Sequence, residues 1–219
     1  MKHMVRWVIL VLIFASLLSA CAPKASSSEK INPVTLEPIE GTDFQPTDDR
    51  EAVVLATLPP AAYRVVLKGM NSTTGIGLIE IYDNNQAADS DLANLSTRGF
   101  VQTGDNVMIG GFTLGGTNNP TNMAVRALGP SLSAFGLVNL LADPTLELHN
   151  ANGAIMVSND DWQSDPVSAG LLMANGLAPS DPREAAIFTT LAPPGQFTAI
   201  VAGKNGNVGI ALVEIYNLQ

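Results

Sequence analysis

From Glu51 onward the chain is a succession of short apolar runs, rich in Val, Ile, Leu, Thr and Tyr, cut by clusters of Gly, Asn, Asp and Pro. That texture predicts strands joined by turns. Strands are expected at about residues 52–58, 63–68 and 75–82. Pro59-Pro60 cannot continue a ladder, and residues 69–75 supply positions tolerant of positive φ. LANLSTRGFV (92–101), NVMIGGFTLGG (106–116), NMAVRALGP (122–130) and PTLELHN (144–150) read as four more strands. AIMVSND (154–160) is a fifth, reached through a hairpin-like turn at Asn150-Ala151-Asn152-Gly153. The exception is residues 165–177, where Asp165 can cap, Pro166 suits a first helical position, Leu171, Leu172 and Met173 follow and Gly176 can end a short helix. A weaker helical signal lies at 131–135.

The pattern then returns. EAVVLATLPPAAYRVVLKGMNSTTGIGLIEIYD (51–83) reappears as EAAIFTTLAPPGQFTAIVAGKNGNVGIALVEIYN (184–217), offset by 133 residues before the proline turn and 134 after it. The chain therefore holds one repeat cycle plus a spare copy of its last three strands at the front, read as a three-strand meander. Eight strands lie between 92 and 218, which suits an all-β antiparallel sandwich or jelly roll with one short helix near 165–176. The spare copy has apolar surface to cover. The favoured placement extends the face of its own sandwich; sharing the middle strands or completing a neighbouring molecule by self-association are the other two.

The N-terminal stretch changes the setting of these strands. Lys2 and Arg6 head an apolar run over residues 7–18, the layout of a secretory signal. The run ends in Leu18-Ser19-Ala20-Cys21, which resembles the lipobox of bacterial lipoproteins. The resemblance implies removal of residues 1–20 and lipidation of Cys21, hence a membrane anchor carrying acyl chains such as palmitate. Ala22 after the cysteine implies the outer membrane or the cell surface. Residues 21–50, rich in Pro, Ser and acidic groups, read as a flexible tether, with 34–39 as a weaker candidate edge strand. Cys21 is the one cysteine, so no internal disulfide can form. Eleven Lys and Arg stand against twenty Asp and Glu, net −9. No basic face emerges, which argues against nucleic acid as a partner.

The order LANLSTRGFV, GGFTLGG, VRALGPSL, DPTLELHNANG, SNDDW and GIALVEIYN resembles a secreted tandem β-sandwich repeat of environmental bacteria, a family without an assigned activity. More loosely, DPTLELHNANG, SNDDW and LAPPGQFTAIVAG are similar to the bacterial pre-peptidase C-terminal domain, an accessory sandwich appended to secreted proteases. Both resemblances imply a non-catalytic module. Neither pattern's catalytic neighbour is present in the sequence.

Candidate chemistry is sparse. Beyond the N-terminal signal His149 is the one histidine, no serine sits in a nucleophile-elbow context, and transition-metal sites of His and Cys lack ligands. Asp143, Asn150, Asn152, Asn159, Asp160 and Asp161 offer oxygens of the kind calcium takes. Calcium is therefore the one cofactor expectation, against a plain role of these residues in turns. Glu80 and Glu214 occupy the same position of the repeated strand amid apolar neighbours, which predicts a structural charge pair with Arg98 or Arg126. Trp162 is a candidate for stacking on a glycan, with packing against the sandwich end as the plainer expectation. The resulting expectation is a lipid-anchored structural or adhesive protein. A calcium- or glycan-binding module is the alternative, with a surface protein or glycan as partner, and a hydrolase is less favoured.

Overall fold

The computed structural model describes residues 7–14, 35–36, 45–46, 48, 50–59, 61–83, 92–115 and 119–218. The chain divides into two compact units, residues 1–91 and 92–219.

In the first unit, β1 (Trp7–Phe14) pairs antiparallel with β3 (Glu51–Ala52), β4 (Ala56–Leu58) and β5 (Ile79–Asp83), and β2 (Thr35–Leu36) pairs with β4. Leu55, Ala56 and Leu58 are buried. Residues 51–83 are not a three-strand meander. β4 and β5 do not pair with each other, and no strand forms at 63–68, where Tyr63 and Val66 are exposed. The reason lies in the second copy of the same sequence, where these strands never pair among themselves.

The second unit is an all-β sandwich. Its strands are β6 (Asn94–Val101), β7 (Met108–Leu114), β8 (Thr121–Leu128), β9 (Pro144–Asn150), β10 (Ile155–Asn159), β11 (Ala185–Leu191), β12 (Gly195–Gly203) and β13 (Gly209–Leu218). They form two four-stranded antiparallel sheets, ordered β11-β8-β13-β6 and β10-β9-β12-β7. Only β9–β10 is a hairpin; every other connection crosses between sheets. The repeated strands are thereby dispersed: β11 pairs with β8, β13 lies between β8 and β6, and β12 lies between β7 and β9. Period-two alternation supplies the core. Val125, Ile187, Val213 and Ile215 from one sheet meet Leu146, Leu148, Phe197 and Val201 from the other, all nearly sealed from solvent.

The outer face of the β11-β8-β13 sheet is also apolar, and a helix covers it. α1 (Pro166–Ala174) begins where Asp165 Oδ1 accepts from the Val167 amide at 3.0 Å, with Pro166 in the first turn, and its end is followed by Gly176 at φ 68°. Leu172 and Ala169 of α1 pack with Trp162, Ala124 and Ala186 in a second small core. Residues 131–135 fall within a 3-10 helix, Pro130–Phe135.

Candidate functional site

Two polar constellations stand out on the sandwich. The first sits on the outer face of the β8 and β13 ladder, where Arg126 is directly opposite Glu214. Arg126 donates through Nε to Glu214 Oε2 at 3.0 Å, and its Nη2 bonds the same oxygen at closer range. It also donates to the Leu177 carbonyl and the Tyr216 hydroxyl, each at 3.0 Å. Glu214 Oε1 accepts from Tyr216 Oη at 3.0 Å and from Ser96 Oγ at 3.3 Å. Burial raises the Tyr216 pKa, with the Glu214 charge adding to the shift. Every polar atom in this group serves another, so the arrangement fastens the loop after α1 to the sheet rather than presenting a reactive group. Arg98 is not part of it. It is exposed on β6, opposite Leu212. Glu80, in the first unit, accepts from Tyr82 Oη at 3.0 Å, the same local bond that Tyr216 makes to Glu214.

The second constellation lies where β9 begins and β10 ends. Asp143, Asp160 and Asp161 bring one carboxylate oxygen each to within 4.8 Å of one another. Lys204, just past β12, puts Nζ 2.6 Å from Asp160 Oδ2 and 3.8 Å from Asp143 Oδ2, and its amide donates to the Asp143 carbonyl at 2.9 Å. The Asp160 contact holds the Lys204 ammonium above its ordinary range. Asp143 Oδ1 and Asp160 Oδ1 are covered and make no hydrogen bond. Three carboxylates around one ammonium leave excess negative charge, which suits a hard cation taking six to eight oxygens.

Of the asparagines grouped with those aspartates by sequence, two lie elsewhere and the third is occupied. Asn150 and Asn152 are at the turn, the opposite end of the β9–β10 hairpin, where Asn150 Oδ1 accepts from the amides of Asn152 and Ala154. Asn159 spends its side chain on Asp161 O, Ser164 Oγ and the Ala186 amide. Trp162 is 7% exposed and packs beside Leu172, the plainer of the two expectations for it, and its ring is not open to stacking on a sugar. Cys21 lies outside the described residues.

His149 faces outward on β9. Nδ1 is 3.0 Å from the Gly153 carbonyl and Nε2 is 2.8 Å from Glu147 Oε2. Two acceptors ask both ring nitrogens to donate, which only imidazolium can do, and the pKa is raised accordingly, first by Gly153 and then by Glu147. No serine hydroxyl shares these nitrogens. His149 borders an open depression of about 260 Å³ with Gln196 and Thr198, and a second, of about 510 Å³, lies between α1 and β11 around Leu171, Asn175 and Phe188.

No protein-family model matches the sequence, and no curated protein matches it. Among solved structures, the chain is similar to the pre-peptidase C-terminal domain of a collagenase from Bacillus anthracis. The likeness has 12% identity and a TM-score of 0.35, and covers 56% of this chain and 88% of that one.

Two anchors went unnoticed in the sequence. Glu184 is fully buried, and its Oε1 accepts from the amides of Gly129 and Ser131 at 2.9 Å each and from Ser131 Oγ at 2.6 Å. Ser168 Oγ, on α1, accepts from the Phe188 amide at 2.8 Å. A signal for the first was present: glutamate opens both copies of the repeat, at 51 and at 184.

Proposed function

We propose that this protein is a lipid-anchored, extracytoplasmic β-sandwich with a structural or adhesive role and no catalysis of its own. The observation that carries it is the N-terminal order of basic head, apolar run and Leu18-Ser19-Ala20-Cys21, followed by a polar tether and then a folded sandwich. The side-chain chemistry supports the non-catalytic half. Arg126, Glu214, Tyr216 and Glu184 hold other parts of the fold, and His149 is committed to Gly153 and Glu147. Metabolic labelling with a clickable palmitate analogue tests the anchor: the native chain takes the label into membranes, and Cys21→Ser loses it. Label retained by Cys21→Ser would refute the anchor.

A calcium-binding role is the second reading, favoured by the convergence of Asp143, Asp160 and Asp161. Asp143 and Asp160 would hold the ion through oxygens that now lack hydrogen bonds, with Lys204 withdrawing. A rise in melting temperature with calcium, reversed by chelator, supports this reading. An unchanged melt rejects it.

A further inference from the structure

The repeated strands fill slots. In the sandwich, β11, β12 and β13 pair exclusively with strands that are not repeated, β6 to β9. Without residues 184–217, only the β9–β10 ladder would remain in either sheet. Those residues are therefore a closing set, inserted strand by strand into an incomplete frame.

Residues 51–83 carry the same specification. At the positions of β12 that face the core, Phe197, Ala199 and Val201, the first copy has Tyr63, Val65 and Leu67. For Ala211, Val213 and Ile215 of β13 it has Gly77, Ile79 and Ile81. Polar anchors are repeated as well. Glu51 stands for Glu184, which receives Gly129 and Ser131, and the Glu80–Tyr82 pair stands for Glu214–Tyr216, which meets Arg126. Nothing ahead of Glu51 repeats the frame that those anchors bind.

The turn between the last two strands is already formed in both copies. Asn71 sits at φ 51°, ψ 35° and Asn205 at φ 55°, ψ 29°. A Cβ on either preceding glycine, Gly69 or Gly203, would come within 2.0 Å of the carbonyl oxygen four residues on. The spare copy thus has the bend of a closing set, while its middle strand is missing for want of partners on both sides.

Chain connectivity permits entry. Tyr216 is paired with Asn94, and the Asn217 amide donates to the Ala93 carbonyl at 3.0 Å, so the end of β13 adjoins the start of β6. Tyr82, the counterpart of Tyr216, is joined to Asn94 directly through residues 83–93. A loop of that length closes an antiparallel hairpin across a ladder about 5 Å wide without strain.

We propose that residues 51–83 are a second closing set that competes with residues 184–217 for the same slots of the same sandwich. Each chain has one frame and two closing sets, so exchange between molecules closes no additional sandwich. Tethering by a short loop gives the in-chain set an effective concentration of the order of millimolar. Whichever set is displaced becomes an apolar three-strand donor.

The register provides the test. Leu212 is opposite Arg98 on the outer face, and Leu78 is its counterpart. In the full chain with Cys21→Ser, Arg98→Cys is combined with Leu212→Cys or with Leu78→Cys, and each pair is oxidised. The 98–212 cross-link reports the C-terminal set in place and is expected as the major product of its variant; the 98–78 cross-link is expected as a minor product within one chain. Adding Val213→Asp, which disfavours the C-terminal set, should make 98–78 the major product while the chain keeps its β-sheet circular dichroism and a cooperative melt. Absence of the 98–78 link in both backgrounds overturns the proposal, as does loss of folding on Val213→Asp. A 98–78 link found only between molecules overturns its in-chain form.

Discussion

Glu184 shows how much a single side chain holds. Its carboxylate is the acceptor for two backbone amides at the start of the 130–135 turn, and it is fully buried. Glu184→Ala should cost about 3 kcal/mol, read from chemical denaturation, because it strands those donors in a dry site. Glu214→Ala is expected to cost about the same, since Arg126 keeps a covered charge and loses its partner. His149 gives a pH dependence whose sign follows from its raised pKa. The stabilisation from its two bonds is complete below about 6.5, the unfolded value, and is lost as pH rises through the folded one. The stability difference between the native chain and His149→Thr should therefore shrink toward alkaline pH in melts run from pH 5 to 9. Gly206, at φ 76° in the turn before β13, should lose about 1 kcal/mol on change to Ala.

At the scale of elements, what was legible followed local chemistry. Alternation placed all eight sandwich strands within a few residues, and Asp165, Pro166 and Gly176 framed the helix because caps and breakers act on their immediate neighbours. Asp165→Ala should loosen the first turn of α1 and cost about 1 kcal/mol, measurable as faster amide exchange of residues 167–169. Partnership was not legible. The sequence 63–68 alternates as well as 197–202 does, yet only the latter is a strand, because a strand needs a neighbour to pair with and β7 and β9, between which 197–202 lies, occur once. The aspartate cluster was half legible for the same reason. Asp143, Asp160 and Asp161 meet because β9 and β10 run antiparallel, and that arrangement sends Asn150 and Asn152 to the far end. Lys204 entered the cluster from β12, a neighbour in space that no local pattern announces.

For the molecule as a whole, the repeat supplies its own control. Met70 is the first-copy residue at the place of Lys204. On the calcium reading proposed above, Lys204→Met should leave the fold intact and tighten binding at the three carboxylates, seen by calorimetry; binding no tighter than in the native chain would count against that reading.

The adjacency of Asn94 and Tyr216 has a mechanical consequence. A pull applied between the N-terminal and C-terminal ends of the sandwich loads β6 and β13 from the same end, so their hydrogen bonds open one after another like a zip instead of sharing the force in shear. A tether that enters at residue 92 and a load taken at residue 218 would peel the unit open at low force, whereas the same load taken on the β9–β12 face would pass through the packed core. Loaded through its two ends, the sandwich thus opens bond by bond from the β6–β13 edge.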